Sequence, residues 1–263
     1  MVTSIFIPRL GQGINVKSET PLDDRGKSIF SSLGIPAVVI PSEAKSVKLS
    51  YLNRIYDGIG MYNKNGGLEF LNPQFFQDLY DGHVSTRNQS ISREYEQLRR
   101  SIKTARRPEQ KRIKEMLKGT AGYDPAVNTK TIPFSLIPTV TINSPGVLFF
   151  PYRKGKKTPS CCIFATLVDY LSYRALLKIS FQDKKLPRCC DCIIVNYARN
   201  FSAAMLDSED YDTIYGFFPE TPSGMTMEAT VASRNQRKFK SQREFYKGFR
   251  DLYEFMNHTK QSS

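Results

Sequence analysis

The sequence predicts an α/β protein in which a C-terminal parallel sheet with flanking helices follows a β-hairpin region and a basic helical insertion. From Cys161 onward, short apolar runs alternate with amphipathic segments, a pattern typical of a parallel sheet covered on both faces. Two β-leaning runs flank residues 63–67, where Asn-Gly and Gly-Gly readily adopt the positive φ of a hairpin turn. Between these regions, apolar residues recur at helical spacing among many lysines and arginines.

The N-terminal region, residues 1–86, is predicted to contain one helix and the hairpin. Four prolines before residue 45 exclude a long helix. Asp23–Leu33 fits a short helix that ends at Gly34, since glycine commonly terminates helices. The two hairpin strands are predicted at Ile55–Tyr62 and Leu68–Leu71.

The next region, residues 87–155, is predicted to be a basic insertion with helix and strand. Ile91, Tyr95, Leu98 and Ile102 follow helical spacing, so residues 90–118 are predicted to be helical, with a break at Pro108. Several glycines and prolines follow, together with the β-branched run at 139–142, which predicts loops and a strand.

The last region, residues 156–263, is predicted to form the parallel sheet and its helices. In chain order, the predicted elements are strand Cys161–Ala165, helix Leu167–Lys178, strand Cys192–Tyr197, helix Ser202–Leu206, strand Thr213–Phe218, helix Met225–Lys238 and helix Phe245–Asn257. Sheets of this type bind ligands at the carboxyl ends of their strands.

The net charge is the outlier of the composition. The 263 residues are 40% hydrophobic and 24% charged, which is ordinary for a folded protein of one large or two small domains. Lysine and arginine nevertheless outnumber aspartate and glutamate by 38 to 25, a net charge of +13. Segment 87–118 has eleven basic residues against four acids, and segment 234–250 has seven against one, so these two segments account for the whole excess.

Positive charge concentrated in two segments predicts a nucleic-acid partner, most simply DNA, whose phosphates the basic side chains would contact. The alternative is that these segments are solvated helix faces. The predicted contacts are Arg99, Arg100, Lys103, Arg106, Arg107, Lys111, Arg112, Arg234, Arg237, Lys238, Lys240, Arg243 and Lys247.

The five cysteines fall into two tight groups rather than a disulfide framework, which predicts reduced thiols in a cytoplasmic protein. Cys162, Cys189 and Cys192 could bind Zn²⁺ if the two strands that they open were neighbours. The alternative is that they are small buried thiols. We expect no membrane partner and no secretory signal, because no apolar run is long enough to span a bilayer and Met1–Pro8 has no basic region.

Four stretches, at residues 58–73, 164–172, 218–224 and 245–255, occur in the order found in Toprim domains, in the version carried by primase-like proteins of mobile genetic elements, and the chain resembles that family. Gly58–Pro73 resembles the hairpin that precedes the Toprim core. Phe164–Ser172 resembles the first Toprim motif, and Phe218–Gly224 falls where the family has Asp-x-Asp-x-x-Gly. Phe245–Phe255 resembles the closing helix of the family. The basic insertion is not covered by the resemblance.

The resemblance implies a Mg²⁺ site made of one glutamate and two aspartates, but these positions fall on Ala165, Pro219 and Thr221. Mg²⁺ is bound through carboxylates and waters, so we expect that no cofactor is held. The hypothesis is therefore a non-catalytic Toprim-like pseudoenzyme that binds nucleic acid, as an accessory to DNA replication or transfer of a mobile element or phage.

Two alternatives stay open. One is an active Toprim-type primase or nuclease with a rearranged Mg²⁺ site at Asp169 and Glu220, together with Asp207 or Asp212. The other is a structural or interaction protein whose positive charge meets an acidic partner.

Overall fold

The computed structural model describes residues 5–7, 14–79, 139–153, 155–179, 186–196 and 200–261. The chain divides into two compact units, one formed by residues 1–73 and 134–263 and the other by residues 74–133. Residues 73–79 are helical, and 74–79 are the described part of the second unit. Both sheets belong to the first unit.

The first sheet contains six strands in the order β1-β6-β5-β4-β3-β2. Neighbouring strands are antiparallel except for β1 and β6, which are parallel. The strands are β1 (Ile5–Ile7), β2 (Asn15–Pro21), β3 (Lys45–Tyr51), β4 (Arg54–Tyr62), β5 (Leu68–Leu71) and β6 (Val140–Ile142).

Helix α1 (Asp24–Ser32) follows β2, and the sequence predicted it correctly. It begins there because the Asp23 side chain accepts a hydrogen bond from the backbone N–H of Gly26 at 2.9 Å, as an N-cap. It is followed by Gly34, whose φ of +67° favours glycine. A short 3-10 turn (Ala37–Val39) leads on toward β3.

The predicted hairpin is confirmed as β4 and β5. The Asn63 side chain organises its turn by accepting the backbone N–H groups of Asn65 at 3.0 Å and Gly67 at 2.9 Å. A Cβ at Gly67 would lie 1.8 Å from the carbonyl oxygen of Ser144, so only glycine fits this close approach.

The second sheet contains five strands in the order β11-β10-β8-β9-β7. Strands β8 to β11 are parallel, and β7 is antiparallel to β9. The chain is therefore a mixed α/β protein with two sheets. The elements are β7 (Leu148–Phe150), β8 (Ser160–Phe164), α2 (Leu167–Ile179), β9 (Asp191–Ile194), α3 (Phe201–Ser208), β10 (Thr213–Phe217), α4 (Pro222–Arg234), β11 (Phe239–Ser241), a 3-10 turn (Arg243–Tyr246) and α5 (Leu252–Gln261).

The central strands of the second sheet are largely buried on both faces, as the alternation of strands and helices predicts. One face contributes Cys162 and Phe164 to a core shared with α2, α5, α1 and the first sheet. The opposite face contributes Cys161 and Ile163 to a core with α3 and α4. Successive residues of β8 thus point to different cores, which is the period of two expected of a strand.

The helix predicted at Phe245–Asn257 is wrong in its first half. Residues 243–246 form a 3-10 turn, and α5 begins only at Leu252. Gly248 has a φ of +88°, a conformation that interrupts a right-handed helix. The spacing of Phe245, Phe249 and Tyr253 therefore does not reflect one helical face.

Other predicted boundaries also shift. The strand predicted to reach Tyr197 ends at Ile194, and Asn196 has a φ of 51°. Helix α4 begins at Pro222 rather than Met225, because proline suits the first turn of a helix and Thr221 caps it. Strand β11 was missed within the predicted helical and basic region. The helix predicted at 90–118 lies outside the described residues.

Strands β6 and β7 lie within the predicted 87–155 region, and they pair with strands on either side of it in sequence. Strand β6 pairs with β1 and β5, and β7 pairs with β9. Within the described ranges, no helix is both long and apolar enough to cross a membrane.

Candidate functional site

The parallel strands β8 and β10 lie side by side at the centre of the second sheet, and the chain leaves their carboxyl ends in opposite directions. Phe164 at the end of β8 is in register with Phe217 at the end of β10. The Ala165 N–H donates to the Phe217 carbonyl at 3.3 Å, and the Ala165 carbonyl accepts from the Asn196 N–H at 3.0 Å. Such a topological switch point is where open α/β sheets bind ligands.

The structure brings Ala165, Pro219 and Thr221 to this carboxyl edge. Ala165 directly follows β8, and Pro219 and Thr221 follow β10. Thr221 is the N-cap of α4, since its Oγ1 accepts the N–H of Gly224 at 3.2 Å. The edge therefore has a methyl group, a pyrrolidine ring and a capping hydroxyl where the Toprim resemblance expects three carboxylates.

The same local geometry requires a glycine at position 224. A Cβ there would lie 2.2 Å from the carbonyl oxygen of Pro219, so the first turn of α4 packs against the loop too closely for any other residue. The glycine that ends the 218–224 motif thus has a packing role in this chain.

Asp169 lies in the first turn of α2, and its side chain is buried. Thr166 and Asp169 bond reciprocally: the Asp169 N–H donates to the Thr166 Oγ1 at 3.1 Å, and that hydroxyl donates to Asp169 Oδ2 at 2.7 Å. The carboxyl also accepts hydrogen bonds from the backbone of Leu252 and Tyr253 at the start of α5. Burial, and then the charge of Asp251, raise the pKa of Asp169 to about 7.

Asp251 is the second member of this buried carboxyl pair. Its Oδ1 accepts the N–H of Glu254 at 2.8 Å as the N-cap of α5, and its Oδ2 accepts from the Arg250 Nε at 2.9 Å. Burial raises the pKa of Asp251, whereas these hydrogen bonds and the Arg250 charge oppose the rise. Burial therefore raises the pKa of both carboxyls of this pair.

Sequence reasoning missed Asp251, although a local signal was present. Asp251 is followed three residues later by Glu254 and by a run with helical spacing, which is a pattern found at helix N-termini. Because one continuous helix was predicted from residue 245, the start of α5 at Leu252 was not predicted. The pair Asp169 and Asp251 joins α2 to α5 beside the switch point.

The acids of the alternative magnesium site are not brought together. The Glu220 side chain is exposed, and its backbone N–H donates to the Arg250 carbonyl at 2.6 Å. Asp212 precedes β10, so the length of that strand, about 16 Å, separates it from the carboxyl edge. Asp207 forms an ion pair with Lys64 at 2.7 Å. Asp169 is buried and accepts backbone hydrogen bonds from the start of α5.

Another buried carboxyl, that of Glu69 on β5, connects the first sheet to this edge. Glu69 Oε1 accepts from Asn63 Nδ2 at 3.0 Å, and Oε2 accepts the hydroxyls of Thr139 and Thr141, each at 2.9 Å. Asn196 Nδ2 also reaches Oε2, at 3.4 Å. Burial raises the pKa of Glu69, and the four donated hydrogen bonds oppose that rise.

The Asn196 side chain also links Glu69 to α2 through a hydrogen bond. Its Oδ1 accepts the backbone N–H of Leu167, the first residue of α2, at 2.8 Å. Asn196 also lies two residues after the end of β9, so one side chain connects Glu69, the segment after β9 and the start of α2. Sequence reasoning placed Glu69 in the hairpin strand but gave it no role.

The predicted zinc ligands are not arranged as a metal site. Cys162 and Cys192 are directly opposite each other, Cys162 at the middle of β8 and Cys192 near the start of β9, whereas Cys189 is exposed. Among the residues that the structure describes, no group of three or more His, Cys, Asp or Glu side chains could hold a metal ion.

The predicted nucleic-acid contacts divide into two sets. Those of the first basic segment lie outside the described residues: Arg99, Arg100, Lys103, Arg106, Arg107, Lys111 and Arg112. Those of segment 234–250 lie on or next to β11 in sequence, and β11 is the outer edge strand of the second sheet. Arg234, Arg237 and Lys238 lie before this strand, Lys240 is within it, and Arg243 and Lys247 follow it.

These six cations differ in their environments. Arg243 is held by Glu228 in a largely buried ion pair, and Lys247 pairs with Glu244 at 3.1 Å. Lys238 Nζ donates to the Glu209 carbonyl at 3.0 Å, and Lys240 lies over the Tyr215 ring at 5.7 Å. Arg234 and Arg237 are exposed and have no partner within the described part of the chain.

No family model, curated protein or solved structure matches the chain. The fold and the switch point define it as a mixed α/β protein with a mostly parallel second sheet, and the central carboxyl edge of that sheet has no carboxylate at positions 165, 219 and 221.

Proposed function

We propose that this protein binds nucleic acid, most simply DNA, and that its Toprim-like second sheet is a scaffold rather than a catalytic centre. The observation that carries the proposal is the cationic outer edge of this sheet. Arg234 and Arg237 extend from it into solvent, next to Lys238 and Lys240. Exposed cations of this kind contact phosphates and release counterions on binding.

The non-catalytic part of the proposal is supported by the composition of the carboxyl edge. Ala165 and Pro219 offer no side-chain oxygen, and the hydroxyl of Thr221 is engaged as a helix cap. A site of this composition is a poor ligand set for Mg²⁺. In this proposal the protein is an accessory to DNA replication or transfer in a mobile element or phage.

We expect Arg234→Ala combined with Arg237→Ala to weaken duplex DNA binding and to lower its salt dependence. Each lost phosphate contact should lower the slope of log affinity against log salt by about 0.9, so the double variant should lose about 1.8. Fluorescence anisotropy with a labelled duplex, titrated from low to physiological salt, measures both quantities for the full chain.

The charge-matched control is Lys17→Ala combined with Arg25→Ala, which removes two exposed cations from β2 and α1. This control should bind nearly as the unaltered chain does. An equal loss of DNA affinity in both double variants would mean that net charge alone matters. That result would contradict the proposal that the outer edge of the second sheet contacts DNA. Competition by heparin but not by DNA would instead indicate an acidic partner.

The same preparation should show no Mg²⁺- or Mn²⁺-dependent primer synthesis or DNA cleavage. If activity appeared and Asp169→Ala abolished it, the scaffold interpretation would be wrong. The two tests are independent, because binding is measured without metal and the chemistry is measured with it.

A further inference from the structure

A cavity of about 780 Å³ lies at the amino edge of the second sheet, the edge opposite the switch point. It lies between the C-terminal half of α2, the end of β7, the loop at 41–43 and residues 188–190. Phe150, Tyr170 and Tyr173 form aromatic walls, and half-exposed Tyr152 lies at the mouth. Its volume is in the range of cavities that hold small molecules.

The cavity wall is fixed by hydrogen bonds and stacking. The Tyr152 N–H donates to buried Asp191 at 2.8 Å, which anchors the segment after β7 to the start of β9. The rings of Phe150 and Tyr170 stack with their centroids 4.8 Å apart. The Arg174 Nη1 donates to the Tyr170 hydroxyl at 3.3 Å, so this guanidinium is held at the wall.

Positive charge predominates around this cavity. Arg174, Lys178 and Arg188 line it, and Glu43 is the acid among the described lining residues. Three cations against one carboxylate favour anionic ligands, because a cleft bounded by protein concentrates the field of its charges.

Three thiols line the same cavity, those of Cys189, Cys190 and Cys192. Cys162 belongs to the same core as Cys190 and Cys192 and is directly opposite Cys192 across the strands. Cys162 donates a hydrogen bond to the Cys190 sulfur, and this bond lowers the pKa of Cys190. Burial raises the pKa of Cys162 well above its usual range, so Cys162 stays protonated as the donor.

The environment of Cys190 is that of a reactive thiol. Reactive cysteines occupy electropositive and accessible surroundings, whereas inert ones are enclosed by apolar groups. Cys190 is only 5% exposed, but it lines a cavity whose wall also contains three cations, and a second thiol, Cys162, is in hydrogen-bonding contact with it. In its protonated form, Cys190 also donates to the Arg188 carbonyl at 3.3 Å, a bond that deprotonation removes.

We propose that Cys190 is a site of thiol–disulfide exchange with small disulfides that bear carboxylates, and that Cys162 is the resolving thiol. The Cys190 thiolate attacks one sulfur of the bound disulfide. That S–S bond breaks, and the departing thiolate takes up the proton that Cys190 released. Cys162 then loses its proton, attacks the Cys190 sulfur and expels the second half as a thiol. One external disulfide is reduced, and a Cys162–Cys190 disulfide is formed. This inference does not depend on nucleic-acid binding.

The test uses the full reduced chain carrying Cys189→Ser, because exposed Cys189 would otherwise react first. The protein is incubated with oxidised glutathione, neutral bis(2-hydroxyethyl) disulfide or cationic cystamine, then alkylated, digested with trypsin and followed by mass spectrometry. We expect residues 189–199 to become linked to residues 158–174, with fragmentation placing the link at Cys190. The rate should be about tenfold higher with oxidised glutathione than with cystamine.

Variants separate the roles. Cys162→Ser should stop at the mixed disulfide on Cys190, and Cys192→Ser should still form the link. Lys178→Glu should slow the reaction with oxidised glutathione but not with the neutral disulfide, whereas Lys48→Glu, on the first sheet, should change neither. The proposal is overturned if Cys190 stays unmodified when Cys189 of the unaltered chain is fully converted. It is also overturned if the three disulfides react at equal rates.

Discussion

Replacing Glu69 with alanine should destabilise the first compact unit by about 3–5 kcal/mol, because it leaves several buried donors without an acceptor. The side chains of Asn63, Thr139, Thr141 and Asn196 all donate to this carboxyl. Since Asn196 also holds the first N–H of α2, the loss should extend from the first sheet to the carboxyl edge of the second. The midpoint and slope of urea unfolding measure the effect.

Two comparisons make this expectation specific. Glu69→Gln keeps one acceptor oxygen and should lose less stability than Glu69→Ala, whereas Glu209→Ala, at an exposed glutamate, should be close to neutral. Combining Glu69→Ala with Thr141→Val should cost less than the two single changes added together, because both remove the same hydrogen bond. A Glu69→Ala chain as stable as Glu209→Ala would contradict the proposed structural role.

Asp169→Asn should remove a pH-dependent loss of stability. A carboxyl whose pKa is higher in the folded than in the unfolded chain stabilises the fold most at low pH, and that contribution is lost as pH rises through the folded-state pKa. For Asp169 this window extends from near its ordinary value of 3.8 up to about 7. Asparagine cannot ionise and still accepts the hydrogen bonds from the start of α5.

The free energy of unfolding of Asp169→Asn relative to the unaltered chain should therefore increase by on the order of 2 kcal/mol between pH 5 and pH 8. Urea unfolding at several pH values measures this difference. For the control Asp212→Asn, at an exposed carboxyl, the free energy of unfolding plotted against pH should run parallel to that of the unaltered chain. A parallel profile for Asp169→Asn as well would show that Asp169 does not hold a proton in the folded protein.

The parts of the fold that were predicted correctly depend on patterns among residues that are close together in sequence. The alternation of apolar runs and amphipathic segments predicted β8, α2, β9 and β10, since strand and helix periods are properties of short stretches. The turn residues at 63–67 predicted the hairpin for the same reason. Helix Phe245–Asn257 was wrong because aromatic spacing alone does not reveal a positive φ at Gly248.

The candidate site was predicted only in part. Motif order placed Ala165, Pro219 and Thr221 at strand ends, and parallel pairing of β8 with β10 brings those ends together. The partners of the buried carboxyls could not be predicted in this way. Glu69 and Asn196 are 127 positions apart, and Asp169 meets Asp251 only because α5 returns to α2. The basic segment at 234–250 likewise proved to be an edge strand with flanking turns rather than one helical face.

The sequence by itself determined the α/β class, the hairpin, the order of the parallel strands along the chain and the uneven distribution of positive charge, because composition and short-range periodicity carry that information. The tertiary structure decided which polar groups share a buried environment. It paired Asp169 with Asp251, enclosed Glu69 among four donors and brought Cys162 to Cys190 beneath a cationic cavity. These properties depend on burial and on contacts between distant residues, which exist only once the sheets and helices have packed together.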